Sequence, residues 1–204
     1  RGRRLRLTTM KVTAGHRSTG MPSPSRPPTV ALVVAQRDFR DEELLQTREV
    51  LQRRGVKTVV GSETLEPARG KFGATVLPDV TLPEVRPEHF DAIVFIGGPG
   101  AKRYYFKRTV LRRAQAFARA GKVVAAICSA PIILANAGVL IGKRATAFHV
   151  FGEAMKDRGA DFTGMPVEAD GKFITATDST HAREFAEAIA WELALAGCDV
   201  AICA

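Results

Sequence analysis

Four short apolar runs constrain this chain more than any other feature: TVALVVA from Thr29, VKTVVGS from Val56, DAIVFIGG from Asp91 and KVVAAIC from Lys122. Each is too short for an average helix, is rich in β-branched residues and does not alternate with polar side chains. That is the pattern of a strand covered on both faces. Three are followed by helical patterns ending in glycine. DEELLQTREVLQRRG places acids first and arginines last and closes on Gly55, TVLRRAQAFARAG closes on Gly121, and SAPIILANAG closes on Gly138. Charge in that order complements a helix dipole, and glycine suits the residue after a helix. Strand and helix in alternation predict an α/β fold with a mostly parallel sheet and helices on both faces. Further on, the pattern predicts a short strand at KRATAF, a helix near GEAMKDRG, a strand at KFITAT and a last helix from about Thr180 to Ala196. Residues 64–90, punctuated by Gly and Pro, are expected to hold at most a small hairpin around KFGATVLPDV.

Charge narrows the partners. The chain of 204 residues carries a formal +9, but residues 1–29 hold seven basic side chains and no acidic one, leaving the remainder at 23 against 21. A nearly balanced body is a mixed solvated surface, so no nucleic-acid partner is expected. No apolar run approaches the ~18 residues of a membrane span, so no membrane role is expected either. The leading 28 residues, rich in Arg, Ser, Thr, Gly and Pro, have too few apolar side chains to offset the entropy of ordering and read as a disordered extension. They precede a single domain from residue 29 to 204. Met10 or Met21 is a candidate start, and the composition also suits an organelle transit peptide. Three cysteines, Cys128, Cys198 and Cys203, make no disulfide framework and point to a reducing compartment, hence a cytoplasmic location. The four-residue gap between the last two fits no zinc pattern.

Sites in parallel sheets form at the carboxyl ends of strands, and Cys128 closes one. A cysteine between a buried strand and a helix start lies near orphan backbone N–H groups, which favour thiolate. A buried structural cysteine is the plain alternative, and Cys128 alone leaves both open. At a second strand end Gly97 and Gly98 let backbone approach a substrate, and the N–H groups of Gly98 and Ser129 are placed to form an oxyanion hole, although tight turns also use glycine pairs. The first helix opens with Asp41, Glu42 and Glu43. Dipole compensation explains any one of them, but this helix too starts at a strand's carboxyl end.

Taken in order, the segments VALVVAQRDFRDEELLQTREVLQRRGVKTVVGS, DAIVFIGGPGA, GKVVAAICSAPIILANAGVLIGKRAT and DGKFITATDSTHAREFAEAIAWEL resemble the ThiJ/PfpI family of the class I glutamine amidotransferase-like superfamily over residues 29–196. The resemblance implies a flavodoxin-like three-layer sandwich with a strained strand-to-helix nucleophile elbow. It places the reactive cysteine on Cys128 and the family's glutamate on Glu43, twelve residues before Gly55. The oxyanion donors fall on Gly98 and Ser129, with Gly97, Pro131 and His181 around the pocket. It also implies a small-molecule substrate, no metal or organic cofactor, and a homo-oligomer, dimeric or larger. Two departures stand out. PfpI-type peptidases have a histidine directly after the cysteine, where this chain has Ser129. Deglycase-type members bring a histidine from the strand after the elbow helix, where this chain has Phe148 with His149 adjacent. Either a one-residue shift brings His149 in, or the site has no histidine. His181 reads as a helix-capping or surface residue, or as a pocket residue.

Three functions follow from these residues. The first is a cysteine enzyme acting on a small electrophilic carbonyl, glyoxalase- or deglycase-like. The second is a cysteine hydrolase of peptides, amides or isonitrile-like substrates. The third is a non-enzymatic redox sensor or holdase, in which Glu43 stabilises an oxidised Cys128.

Overall fold

The computed structural model describes residues 26–201. The disorder expected of residues 1–28 thus falls almost wholly outside the described residues, as does Cys203. In chain order the elements are β1 (Thr29–Val33), β2 (Arg37–Phe39), α1 (Asp41–Arg53), β3 (Lys57–Ser62), β4 (Ala68–Gly70), β5 (Thr75–Val76), β6 (Val80–Thr81) and β7 (Ala92–Phe95). There follow α2 (Arg108–Arg119), β8 (Val123–Ile127), α3 (Pro131–Asn136), β9 (Arg144–Ala145), α4 (Gly152–Lys156), β10 (Asp161–Phe162), β11 (Val167–Asp170), β12 (Phe173–Ala176) and α5 (Ala182–Leu195).

The main sheet runs β11-β12-β8-β7-β1-β3-β6, parallel at every pairing except the antiparallel edge pair β11 with β12. Its strands are apolar on both faces because both are covered. Ala31, Val33, Ile93, Phe95, Val124 and Ala126 pack with Val110 and Phe117 of α2 and Ile133 of α3. The alternate residues Val30, Leu32, Val94, Ala125 and Ile127 pack with Leu44 and Leu51 of α1 and Phe185 and Ile189 of α5. This is the three-layer sandwich that the resemblance implied. Each large side chain taken fully out of water contributes roughly 1.5–3 kcal/mol. Gly55, at φ +78°, ends α1 in the left-handed conformation that glycine tolerates best. Among the described residues no helix is long and apolar enough to cross a membrane.

Two local expectations are corrected and one is sharpened. The short strand expected at KRATAF forms, but only at Arg144 and Ala145, and it pairs with β10 rather than with the main sheet. The backbone N–H groups of the segment are spent elsewhere, that of Thr146 on Thr175 Oγ1 at 2.8 Å and that of Phe148 on Cys128 O at 2.8 Å. The hairpin does form, but its first strand is β4, ahead of Lys71, and β2 joins it in a three-stranded sheet. The elbow helix is short, with six residues in α3.

Phe185 is fully buried between α5 and the sheet. Phe185→Ala should lower unfolding stability by about 3–5 kcal/mol, the transfer loss plus the cavity left behind. A urea titration followed by circular dichroism measures it.

Candidate active site

β8 ends at Ile127, and the next residue, Cys128, sits at φ +63°, a region that a non-glycine side chain seldom occupies. Such backbone costs on the order of 1–3 kcal/mol and persists only where its surroundings over-determine it. Here they do. The Cys128 N–H donates to Ala176 O at the end of β12 at 2.9 Å, and Cys128 O accepts from Phe148 N–H. The thiol is thereby turned off the strand line and into a cavity of about 340 Å³.

Glu43, in the first turn of α1, is fully buried, and its Oε2 accepts from Gly97 N–H at 2.8 Å. Its Oε1 is buried without an oriented partner. The side chain that acts on the carboxyl most strongly is the Cys128 thiol. Gly97 has no room for a larger residue: an added Cβ would come within 2.6 Å of Ile127 O, 2.8 Å of Glu43 Oε2 and 2.9 Å of Cys128 Cβ. Gly98, at φ +97°, is equally confined, since its Cβ would meet Arg40 N at 2.5 Å. The tight turn and the access to the thiol are therefore one requirement.

The N–H groups of Gly98 and Ser129 both act on the Cys128 sulfur and favour its ionised form. The two strand ends that carry them are tied together, because Ser129 Oγ–H donates to Gly98 O at 2.9 Å. Tyr105 O–H donates to Ser129 O at 3.1 Å, and Asn136 Nδ2 holds Tyr105 O at 2.8 Å. Two donors aimed at one point in a partly dry pocket are suited to negative charge developing on a substrate oxygen.

Burial pushes Glu43 up to about 8, against the downward pull of the Cys128 and Gly97 hydrogen bonds. The carboxyl is therefore largely protonated at neutral pH. Burial also pushes the Cys128 thiol up to about 12, with the Glu43 charge next, while the Gly98 and Ser129 N–H groups pull it down. The expectation of a thiol acidified by the helix start is thus reversed. α3 is short, its dipole correspondingly weak, and desolvation outweighs it. While Glu43 keeps its proton, its charge does not oppose the thiolate, so the two groups titrate as a pair.

The remaining expected residues are dispersed. Pro131 is buried in the first turn of α3, and neither it nor Gly97 lines the cavity. His149 is exposed, stacks its ring against Phe148 at 4.3 Å and does not line the cavity, so within this chain the one-residue shift does not bring it to the thiol. His181 precedes α5, with Nδ1 3.0 Å from Thr177 Oγ1, while its neighbours Asp178 and Ser179 border the cavity. Glu42 pairs with Arg40 at 2.9 Å. Asp41 is buried, and it accepts from Phe72 N–H at 2.9 Å and Ala74 N–H at 2.6 Å, fixing the β4–β5 turn. Reading residue by residue missed Arg40, Lys71 and Lys102 on the cavity wall, and only Arg40 had a signal, its place just before the acidic helix start. Among the described residues no three His, Cys, Asp or Glu side chains gather to hold a metal ion.

The profile of the DJ-1/PfpI family matches residues 28–192. A deglycase of Pyrococcus abyssi is 33% identical over 144 residues, covering 71% of this chain and 87% of its own. A glutathione-independent glyoxalase of Caenorhabditis elegans is 26% identical over 155 residues, covering 76% and 83%. Among solved structures, a ThiJ/PfpI domain protein from Brachyspira murdochii superposes with a TM-score of 0.81 at 28% identity, covering 83% of this chain and 98% of that one.

Two titrations test the pair. Glu43 titrates higher folded than unfolded, so the stability of its buried acid is complete below the ordinary carboxyl value of 4.5 and is lost as pH rises toward about 8. Between pH 5 and 8 the wild type should lose urea resistance, and Glu43→Gln should lack this component. Removing the Glu43 charge should also shift the alkylation of Cys128 by iodoacetamide to lower pH. An unshifted profile would place the carboxyl too far from the sulfur to matter.

Proposed function

Because the chain belongs to the DJ-1/PfpI family, we propose that it is a cofactor-independent cysteine enzyme acting on the aldehyde of small 2-oxoaldehydes such as methylglyoxal. The observation that carries this reading is the fully buried Glu43 carboxyl, held by Gly97 N–H, in the cavity that also takes in the Cys128 thiol and the Gly98 and Ser129 backbone. The names of the two relatives, deglycase and glyoxalase, support it.

Cys128 Sγ attacks the aldehyde carbon. As the C–S bond forms, the carbonyl π pair moves to oxygen, where the Gly98 and Ser129 N–H groups receive it. The thiol proton passes to that oxygen by way of Glu43, giving a hemithioacetal. Glu43 then carries the hydrogen of the former aldehyde carbon, as a proton, to the adjacent carbonyl carbon, while the hemithioacetal hydroxyl proton passes to that carbonyl's oxygen and the former aldehyde carbon becomes the thioester carbonyl. The product is a thioester of the 2-hydroxy acid, which water cleaves to lactate and free thiol. Methylglyoxal plus water gives lactate, and no outside oxidant or reductant is consumed. A group near pKa 8 suits this double duty, since it is neither fully protonated nor fully ionised close to working pH.

A peptidase reading requires histidine after the cysteine and meets Ser129 instead. The exposed His149 remains a catalytic proposal only for a site completed across an oligomer interface, and a homo-oligomer is itself proposed on the family's habit alone.

Wild type should form lactate from methylglyoxal, and Cys128→Ala should not; equal rates would sink the assignment. Glu43→Gln, which keeps a hydrogen-bonding side chain but cannot transfer the proton, should cost about 10²-fold or more in kcat with the fold retained. Glu42→Gln should do much less. The reverse order would move the carboxylate role to Glu42.

A further inference from the structure

The walls of the Cys128 cavity are not electrically neutral. Arg40 is engaged by Glu42 at 2.9 Å and by the face of Phe72, its guanidinium carbon 4.6 Å from the ring centroid. Lys71 and Lys102 line the same cavity, and neither ammonium has a carboxylate partner among the described residues. Both are held on fixed backbone. Lys71 starts the β4–β5 turn that Asp41 pins, and its N–H donates to Phe39 O at 2.9 Å. Lys102 lies on the short helical turn after Gly98, spanning Pro99–Tyr104. The opposing charge on the wall is Asp178, whose Oδ1 is already occupied by Thr180 N–H at 2.9 Å and the Thr180 hydroxyl. Two exposed lysines without a carboxylate partner among the described residues and one aspartate therefore border a pocket that also takes in the thiol.

We propose that this cavity takes a 2-oxoaldehyde whose carbon chain ends in a carboxylate, held by Lys71 and Lys102 while its aldehyde reaches Cys128. The proposal rests on the cysteine chemistry above and adds the substrate class. A single carboxylate balances the one positive charge by which the lysines exceed Asp178. At about 340 Å³ the cavity lies at the small end of ligand pockets, adequate for an acid of about nine non-hydrogen atoms. Lysines act here as point charges, so the attraction is long-ranged and screened by salt. It would gather anionic substrates ahead of neutral ones of equal size.

The test separates charge recognition from turnover. Iodoacetate and iodoacetamide alkylate the same thiol with the same leaving group and differ in a carboxylate, so the ratio of their rates at Cys128 cancels the thiolate fraction. In the full chain at low ionic strength that ratio should exceed by about fivefold or more the ratio for the urea-unfolded chain. It should fall to within about twofold of the unfolded value in Lys71→Gln/Lys102→Gln, and in wild type at 0.5 M salt, where the Debye length is about 4 Å against about 30 Å at 0.01 M. A folded wild-type ratio at or below the unfolded one would overturn the proposal while leaving the cysteine chemistry intact. Failure of both reagents at Cys128 would overturn both. In the turnover arm, 4,5-dioxopentanoate, which with water gives 2-hydroxyglutarate, should show a kcat/KM about tenfold above that of neutral 2-oxopentanal. Equal values would reject the carboxylate preference, whereas no turnover of either, with the alkylation ratio as expected, would reject the oxoaldehyde reaction and the substrate class built on it.

Discussion

Everything at the site depends on placing a thiol and a carboxyl in one poorly solvated space. Cys128 reaches that space only by adopting φ +63°, and the Ala176 carbonyl and the Phe148 amide grip its backbone from either side. Glu43 reaches it only because α1 begins where β1 and β2 deliver it, and because Gly97 offers an N–H with no Cβ in the way. The neighbouring strand ends must then approach to distances at which an alanine would collide. Backbone strain, glycine placement and carboxyl burial are three expressions of one close approach.

That approach also explains why the acid is useful. Left in water, a glutamic acid would be ionised at neutral pH and could donate no proton. Burial holds the proton on, at a cost in stability that grows as the solution becomes more alkaline. The same burial opposes ionisation of the thiol, and the Gly98 and Ser129 amides offset only part of that opposition. At neutral pH the pair therefore holds its protons on both groups, which under the proposed reaction suits moving protons during turnover rather than storing a thiolate beforehand.

The layers of the fold were legible because a doubly covered strand writes its burial into consecutive apolar residues, as in TVALVVA and KVVAAIC. The resemblance could place the family's glutamate on Glu43 because Gly55 marks the end of the first helix and gives a fixed point from which to count back. β11 was not legible, since VEAD is an edge strand whose polar residues are satisfied across it, Glu168 by Arg144 at 3.1 Å. KRATAF gives only the two-residue β9, paired with β10 outside the main sheet, because side-chain and single backbone bonds occupy the rest of the segment. The thiol's direction of shift was misjudged because a helix start is visible in sequence, whereas the volume of protein around a sulfur is not. The lysines of the cavity wall were hidden for a related reason: Lys71 reaches the site through a turn whose position depends on Asp41, thirty residues earlier in the chain.

Ser129 shows how a departure from a family pattern can be structural as well as chemical. Its hydroxyl clamps Gly98 O, and its carbonyl receives the Tyr105 hydroxyl, so the residue fixes the distance between the two amides that face the sulfur. A histidine at this position would bring a titratable ring but would remove that clamp, and the ring would have to share space with Phe148 and Phe151 on the cavity wall. In the reaction proposed above, proton transfer would fall on the α1 side, at Glu43, while Ser129, next to Cys128, holds the Gly98 and Ser129 strand ends in register. With acid and donors fixed deep in the pocket, the mouth is free to vary, and there the side chains carry charge.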